Sequence, residues 1–345
     1  MATSGIGDRI LVMGAGNFGT CLAQHLAEKG HPVTIWARSP EVAAAINQNR
    51  KNPKYLTALT LSSRITAINN ITDEVVRDHR IVVIATAAQA ASDVLKILAA
   101  HGASADHLLI CAAKGIEIST MRLPGQIIAD TLGEEAGKKA VFLSGPSFAS
   151  EVATHQPTAV VAASHDQSRA QVVQALFHAP QFRVYTSDDP VGVELAGALK
   201  NVIAIAAGAA VGLGFQMNSR AALITRGLAE MSRIGRAVGA NPLTFVGLAG
   251  VGDLFLTCTS EKSRNFQVGY RLGRGEKIEA ILSTLGSVSE GYATTMAAKD
   301  LARKLGVDAP ITEATYGVLY EGRPIAQAVM GLLTRDAKPE IDAPK

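Results

Sequence analysis

Apolar residues in the first half of the chain fall in short β-branched runs separated by helical stretches. In the second half they form long alanine-rich stretches with helical spacing. The short runs predict strands at Ile10 to Met13, Val33 to Trp36, Ile81 to Ala85, Leu108 to Ala112, Ala140 to Leu143, Thr158 to Ala163 and Phe182 to Thr186. Strands alternating with helices make a parallel sheet covered by helices, so this part reads as α/β. Between the first two strands a helix is expected from Phe18 to Lys29, closed by Gly30. A second runs from Pro40 to Asn49, with Ser39 as its N-cap and Pro40 at its first helical position.

Ser187-Asp188-Asp189-Pro190 is turn chemistry, and beyond it strand-like runs disappear. The expected organisation is a nucleotide-binding α/β domain over residues 1–187, an all-helical domain over 188–335, and a polar, proline-interrupted, frayed tail over 336–345. The longest apolar stretch runs from Val191 to Phe215, and its strongly polar side chains are Glu194, Lys200 and Asn201. They interrupt the run, and many of its other residues are Gly or Ala, so a membrane span is not expected. Burial strips an ammonium of its hydration and lowers its pKa toward the range where it trades protons near neutrality, which makes Lys200 a proton-transfer candidate. Two structural alternatives stand beside that one: Lys200 snorkels to water, or it pairs with Glu194.

A chain of 345 residues has room for two cores, and 48% hydrophobic with 18% charged residues excludes a largely disordered protein. The formal charge of +3 has no dense basic block behind it, so small anionic ligands fit and nucleic acid does not. Three separated cysteines, Cys21, Cys111 and Cys258, favour a reducing compartment over a disulfide framework. The eight histidines form no HExxH and no GxSxG occurs, so neither a metal site nor a nucleophile elbow is expected. Only Met1 to Arg9 precede the first strand, too little for a secretory leader, and a cytoplasmic location is expected.

The first strand runs directly into Gly14-Ala15-Gly16-Asn17-Phe18-Gly19 and then a helix, the context that gives a GxGxxG its meaning. Gly14 permits the tight turn, Gly16 lets a pyrophosphate approach the backbone, and Gly19 lets the helix pack close to the strand. At the end of the second strand, where an NAD-preferring site carries a carboxylate, the sequence reads Trp36-Ala37-Arg38. Arg38 can pair with a 2′-phosphate, so NADP(H) is expected over NAD(H), which stays possible.

Further motifs follow in order: Asn52-Pro53-Lys54-Tyr55-Leu56, Ala113-Lys114-Gly115-Ile116-Glu117, and Leu143-Ser144-Gly145-Pro146-Ser147-Phe148-Ala149-Ser150-Glu151. The second half adds Gly197-Ala198-Leu199-Lys200-Asn201-Val202, Gly252-Asp253-Leu254, Thr257-Cys258-Thr259-Ser260, Ser263-Arg264-Asn265 and Glu290-Gly291. With these, the chain from about residue 9 to about residue 330 resembles the bacterial NAD(P)-dependent glycerol-3-phosphate dehydrogenases. The resemblance implies a Rossmann-like N-terminal domain, a helical C-terminal domain and a site between them. It also implies reversible hydride transfer between NAD(P)H and dihydroxyacetone phosphate, serving phospholipid synthesis, in a homodimer.

By the same resemblance Lys200 is the catalytic lysine. Lys114, Gly145, Ser147, Asp253, Ser263, Arg264 and Asn265 would join it at the substrate. Asn17, Phe18, Lys114, Ala149, Arg264 and Glu290 would join the three glycines and Arg38 at the cofactor. Where relatives often carry Trp in the glycine turn, this chain has Phe18, which keeps the apolar face and loses the indole donor. Local sequence alone offers Asp253 a different job, as an N-cap. A carboxylate-type hydroxyacid dehydrogenase would share both domains and the lysine, but would not need the hydroxyl, guanidinium and amide of Ser263-Arg264-Asn265. A nucleotide-sensing module would not need a buried proton donor.

Overall fold

The computed structural model describes residues 7–285, 289–337 and 339–340. Eight strands form one sheet: β1 (Ile10–Met13), β2 (Val33–Trp36), β3 (Ile65–Ile68), β4 (Ile81–Ile84), β5 (Leu108–Cys111), β6 (Val141–Ser144), β7 (Thr158–Ala163) and β8 (Phe182–Ser187). Their order is β3-β2-β1-β4-β5-β6-β7-β8. Each of the seven expected strands is present to within one residue at either end, and Ser39 caps its helix through a bond from the Val42 amide.

Two features differ from expectation. β3 has no counterpart in the strand prediction, because Ile65-Thr66-Ala67-Ile68 is a short run with one apolar face. It becomes a strand by pairing with β2, Ile65 beside Val33, at the edge of the sheet. The sheet is also not wholly parallel: β7 runs antiparallel to β6, with Phe142 opposite Ala163. The chain between them holds only the single-turn helix Ala149–Val152, so it turns back at the sheet end without building a covering crossover. Gly145 permits that return: its φ is +134°, and a Cβ there would lie 3.0 Å from the Val160 Cα.

Along β1, Ile10 and Val12 enter one apolar cluster and Leu11 and Met13 the other, so both sheet faces are buried under helices. Among the described residues no strand follows Ser187; helices take over at Pro190–Gly212, the core helix of the second half. This helix has the length and apolarity of a membrane span, yet most of it is buried inside the protein. Its partners explain the small residues. A Cβ on Gly208 would lie 2.0 Å from the Phe266 carbonyl oxygen, and one on Gly269 would lie 1.8 Å from that of Ile205. The core helix and the helix Arg264–Gly273 therefore cross with their backbones in contact, which brings the start of the second helix beside the middle of the first. In the tail, Lys338 and residues 341–345 lie outside the described residues, while Arg335 pairs with Asp308 and Arg226 donates to the Glu340 carbonyl.

Candidate active site

The glycine turn sits between β1 and β4, where the strand order reverses, the place at which open α/β sheets leave a crevice. Gly14 has a φ of +119°, and a Cβ there would lie 2.8 Å from the Ala85 carbonyl oxygen; one on Gly19 would lie 1.9 Å from that of Gly14. Gly14 is demanded by the close approach of the chain after β4, and Gly19 by packing of the helix Asn17–Glu28 against the turn. Gly16 is different: its Cβ would meet nothing within 4 Å, so packing does not require it. It also caps the helix without a side-chain bond, leaving first-turn amides available to an anion. Asn17 and Phe18 lie half-buried in that turn. Arg38 is exposed just past β2, and no ion pair joins it to another described residue.

The loops after β4 and β5 meet the helix Glu290–Lys304 of the second half. The Ala88 amide donates to Glu290 Oε1 at 3.3 Å. A Cβ on Gly115 would lie 2.6 Å from that of Ala88 and 3.2 Å from Glu290 Oε2. Thr86 Oγ1, Glu290 Oε2 and Thr294 Oγ1 are buried and have no hydrogen-bond partner among the described residues. Burial pushes the Glu290 pKa up to about 7, against the Ala88 amide and the charge of Arg264. Unmet buried polar atoms are costly, and here they accompany an open glycine turn. The residues present fit a dinucleotide.

A buried cluster of charged side chains sits where the core helix passes the carboxyl edge of the sheet. Lys200 Nζ donates to Asp253 Oδ1 at 2.6 Å and to Thr257 Oγ1 at 3.0 Å. Lys114, three residues past β5, donates to the other oxygen of Asp253 at 2.8 Å and to the Gly145 carbonyl at 3.1 Å. Ser147 Oγ donates to that same carbonyl at 3.0 Å. Gly197 leaves room for this arrangement, since a Cβ there would lie 3.1 Å from Ser144 Oγ and 3.5 Å from Lys114 Cγ.

Two ammonium groups thus share one carboxylate. Burial, assisted by repulsion from Lys114, lowers the Lys200 pKa to about 8, although Asp253 pulls it the other way. Burial alone would raise the Asp253 pKa; Lys114 and Lys200 together outweigh it and hold the carboxyl below its ordinary range. Asp253 is not an N-cap. It is the first residue of the helix Asp253–Thr259, its cap position is Gly252, and its side chain is held by the lysines. Nor does Lys200 pair with Glu194. Six helical positions turn the two side chains about 120° apart, and Glu194 instead accepts from the Gly125 amide at 2.7 Å, its pKa pushed up to about 8 by burial.

Ser263, Arg264 and Asn265 open the helix Arg264–Gly273. Ser263 is its N-cap, accepting from the Phe266 amide at 3.2 Å. Arg264 is exposed at the first position, near enough to Glu290 for its charge to act on that carboxyl. Asn265 is buried in a network: its Nδ2 donates to Asn201 at 2.8 Å, and its Oδ1 accepts from Ser289 at 2.7 Å and the Gly291 amide at 2.9 Å. Ala149 opens the short helix beyond Ser147. Across the rim, Lys262 pairs with Glu151 at 2.7 Å and ties this turn to the sheet half.

Sequence reasoning gave no role to Thr257, Thr86 or Thr294. Thr257 had a legible signal, because it lies four positions after Asp253 on one helix and therefore on the same face. The other two are recognisable only by burial without a partner.

Family descriptions of NAD-dependent glycerol-3-phosphate dehydrogenase match the chain in both halves, the N-terminal one over residues 9–170 and the C-terminal one over residues 189–330. A glycerol-3-phosphate dehydrogenase [NAD(P)+] of Geobacter metallireducens is 49% identical over 335 residues, 97% of this chain and 99% of the relative. The crystal structure of glycerol-3-phosphate dehydrogenase from Coxiella burnetii superposes with a TM-score of 0.91 at 34% identity, covering 96% of this chain and 100% of that one. A ketopantoate reductase from Ralstonia eutropha shares the fold alone, with a TM-score of 0.59 at 16% identity, covering 93% of this chain and 99% of that one. A Rossmann-like sheet, a helical second domain and both family matches lead to one conclusion: the chain belongs to the NAD-dependent glycerol-3-phosphate dehydrogenase family.

Proposed function

We propose that this chain interconverts dihydroxyacetone phosphate and sn-glycerol 3-phosphate with NAD(P)H, at a site formed by Lys114, Lys200 and Asp253. The observation that carries the reading is one buried carboxylate held by two lysines, at the sheet edge beside the glycine turn. When bound, NAD(P)H would supply the hydride that the ketone carbon receives. The carbonyl oxygen then becomes an alkoxide, which the chain must stabilise and protonate.

Lys200 is the proton donor in reduction and the acceptor in oxidation. It is the deeper of the two lysines, and its pKa of about 8 suits transfer in both directions. Asp253 keeps the ammonium aimed and stays ionised itself, because Lys114 still faces it after Lys200 gives up its proton. With two cations on one anion, the centre carries a net positive charge that favours the developing alkoxide. Gly145 and Ser147 line the substrate beside Lys114. Ser263, Arg264 and Asn265 receive the phosphate at a helix start. The glycine turn, with Asn17, Phe18, Arg38, Lys114, Ala149, Arg264 and Glu290, holds the cofactor.

NADP(H) is preferred through Arg38, whose exposed guanidinium forms no ion pair with a carboxylate among the described residues. Residues 1–187 form the nucleotide-binding domain and residues 188–335 the helical one. The protein works in the cytoplasm, in keeping with three free cysteines, and supplies glycerophospholipid synthesis. It acts as a homodimer, for which exposed Leu243, Val246 and Phe255 are available as contact surface.

The deciding experiment follows nicotinamide absorbance with dihydroxyacetone phosphate, dihydroxyacetone and a 2-keto acid, each with NADPH and NADH. Turnover restricted to the phosphorylated ketone, faster with NADPH, is expected. Comparable turnover of the keto acid would instead support a carboxylate-type hydroxyacid dehydrogenase.

A further inference from the structure

Arg220 lies in the first turn of the helix Met217–Ala237 and has a role in none of the preceding chemistry. Its guanidinium carbon lies 5.7 Å from the ring centre of Phe266, which is 3% exposed. Its Nε is buried and has no hydrogen-bond partner among the described residues. No carboxylate among them forms an ion pair with it, and its charge reaches the buried Cys258 thiol, which also feels Lys200 and Asp253. Arg220 therefore stands where the end of the helix Asp253–Thr259 meets the start of the helix Arg264–Gly273. Phe266, against which it packs, directly follows Asn265.

A guanidinium is ionised at every accessible pH, so it cannot shed its charge to relieve burial as Lys200 does. A partly buried cation without a countercharge is unfavourable and persists where a ligand supplies one. The Phe266 ring face favours the cation without neutralising it. Resting on the reading that the substrate is a phosphate monoester, we infer that Arg220 is a further specificity-determining cation of the phosphate end, its countercharge being the substrate dianion. Arg264 opens the helix Arg264–Gly273, and Arg220 packs on Phe266 two positions further along it. Two guanidinium groups favour a dianion over the singly charged carboxylate of a hydroxyacid, a discrimination that the two lysines on Asp253 do not provide.

The test compares Arg220→Met, which keeps an apolar stem against Phe266, with Arg220→Lys, which keeps the charge. Initial rates are taken with dihydroxyacetone phosphate and with dihydroxyacetone, alongside thermal unfolding. Arg220→Met should raise KM for dihydroxyacetone phosphate about tenfold or more with kcat within about twofold, leave kcat/KM for dihydroxyacetone within about twofold, and be largely rescued by Arg220→Lys. Equal losses on both substrates, or an unchanged KM, would overturn the inference. Should Arg220→Met fail to fold, competitive inhibition by inorganic phosphate is compared between wild type and Arg220→Gln, which removes the charge and keeps polar atoms. A several-fold weaker inhibition constant in the glutamine variant supports the assignment, and an unchanged one overturns it. A wild-type protein inert toward dihydroxyacetone phosphate would defeat the proposed activity itself, an outcome separate from a variant that matches an active wild type.

Discussion

The glycine turn and the lysine centre lie along one edge of the same sheet and are built in opposite ways. The turn is contiguous: Gly14, Gly16 and Gly19 follow β1 within six residues, and two of them are dictated by contacts of the turn with its own neighbourhood. The centre is dispersed. Lys114 comes from the loop after β5, Lys200 from the core helix, and Asp253 with Thr257 from a third segment. Local backbone geometry suffices to hold an anion at a helix start, whereas a lysine whose pKa is tuned needs low dielectric and placed charges on several sides. Damage to the turn should therefore appear in cofactor affinity, and damage to the centre in chemistry.

Lys200→Ala is the sharpest break. It deletes the proposed proton donor and leaves the turn intact, so kcat should fall by roughly 10²–10⁴ while NADPH affinity, read by fluorescence titration, stays within about threefold. A mutant with near-normal kcat would remove Lys200 from the chemistry.

Gly16→Val tests the other side. Its Cβ would meet no protein atom within 4 Å, so the melting temperature should barely move. A side chain in the space needed by a pyrophosphate should nevertheless raise KM for NADPH and NADH together by about 10–100-fold. Gly19→Ala makes the control, since its Cβ would lie 1.9 Å from the Gly14 carbonyl oxygen, and the fold itself should lose about 1–3 kcal/mol. If both variants lose stability equally, Gly16 is structural too.

Arg38→Asp refines the turn without touching the centre. It places a negative charge where a 2′-phosphate would bind and offers an acceptor to a ribose hydroxyl, so the NADPH-to-NADH ratio of kcat/KM should drop about tenfold or more. A constant ratio would assign cofactor choice elsewhere.

The smallest effect is read from the wild type. In the proposed mechanism reduction needs protonated Lys200, so its rate should fall to half as pH rises to about 8, while oxidation gains over the same range. The same residue affects stability with a definite sign. Its folded pKa lies below the ordinary 10.5, so the unfolded chain binds more protons between about 8 and 10.5. In that window this lysine's contribution to stability rises with pH; below about 8 its burial penalty is felt in full. A midpoint at the pKa of a free lysine would show that Lys200 is solvated during turnover.

Seven strands, the glycine turn, Ser39 as a helix cap and the buried position of Lys200 were all legible in the chain, because each depends on neighbours a few residues away. β3 was not, since Ile65-Thr66-Ala67-Ile68 becomes a strand only beside β2. The reversal of β7 depended on the short return after Gly145. Local sequence also misread Asp253 as a cap, because what decides its role is the pair of lysines that reach it from 139 and 53 residues away.

By itself, then, the sequence determined the alternating α/β half, the helical half, the glycine turn and the chemical types available for proton transfer, all consequences of periodicity and backbone preference. Only the tertiary structure decided that Lys200 faces Asp253 and Thr257 rather than Glu194, and that Asn265 is locked to Asn201 and Gly291. It also decided that Arg220 is left with a buried nitrogen beside Phe266 that has no partner among the described residues. The physical reason is that a pKa, a network and an unpaired charge are properties of what surrounds a group in space, and those surroundings come from segments that meet only when helices cross at their glycines.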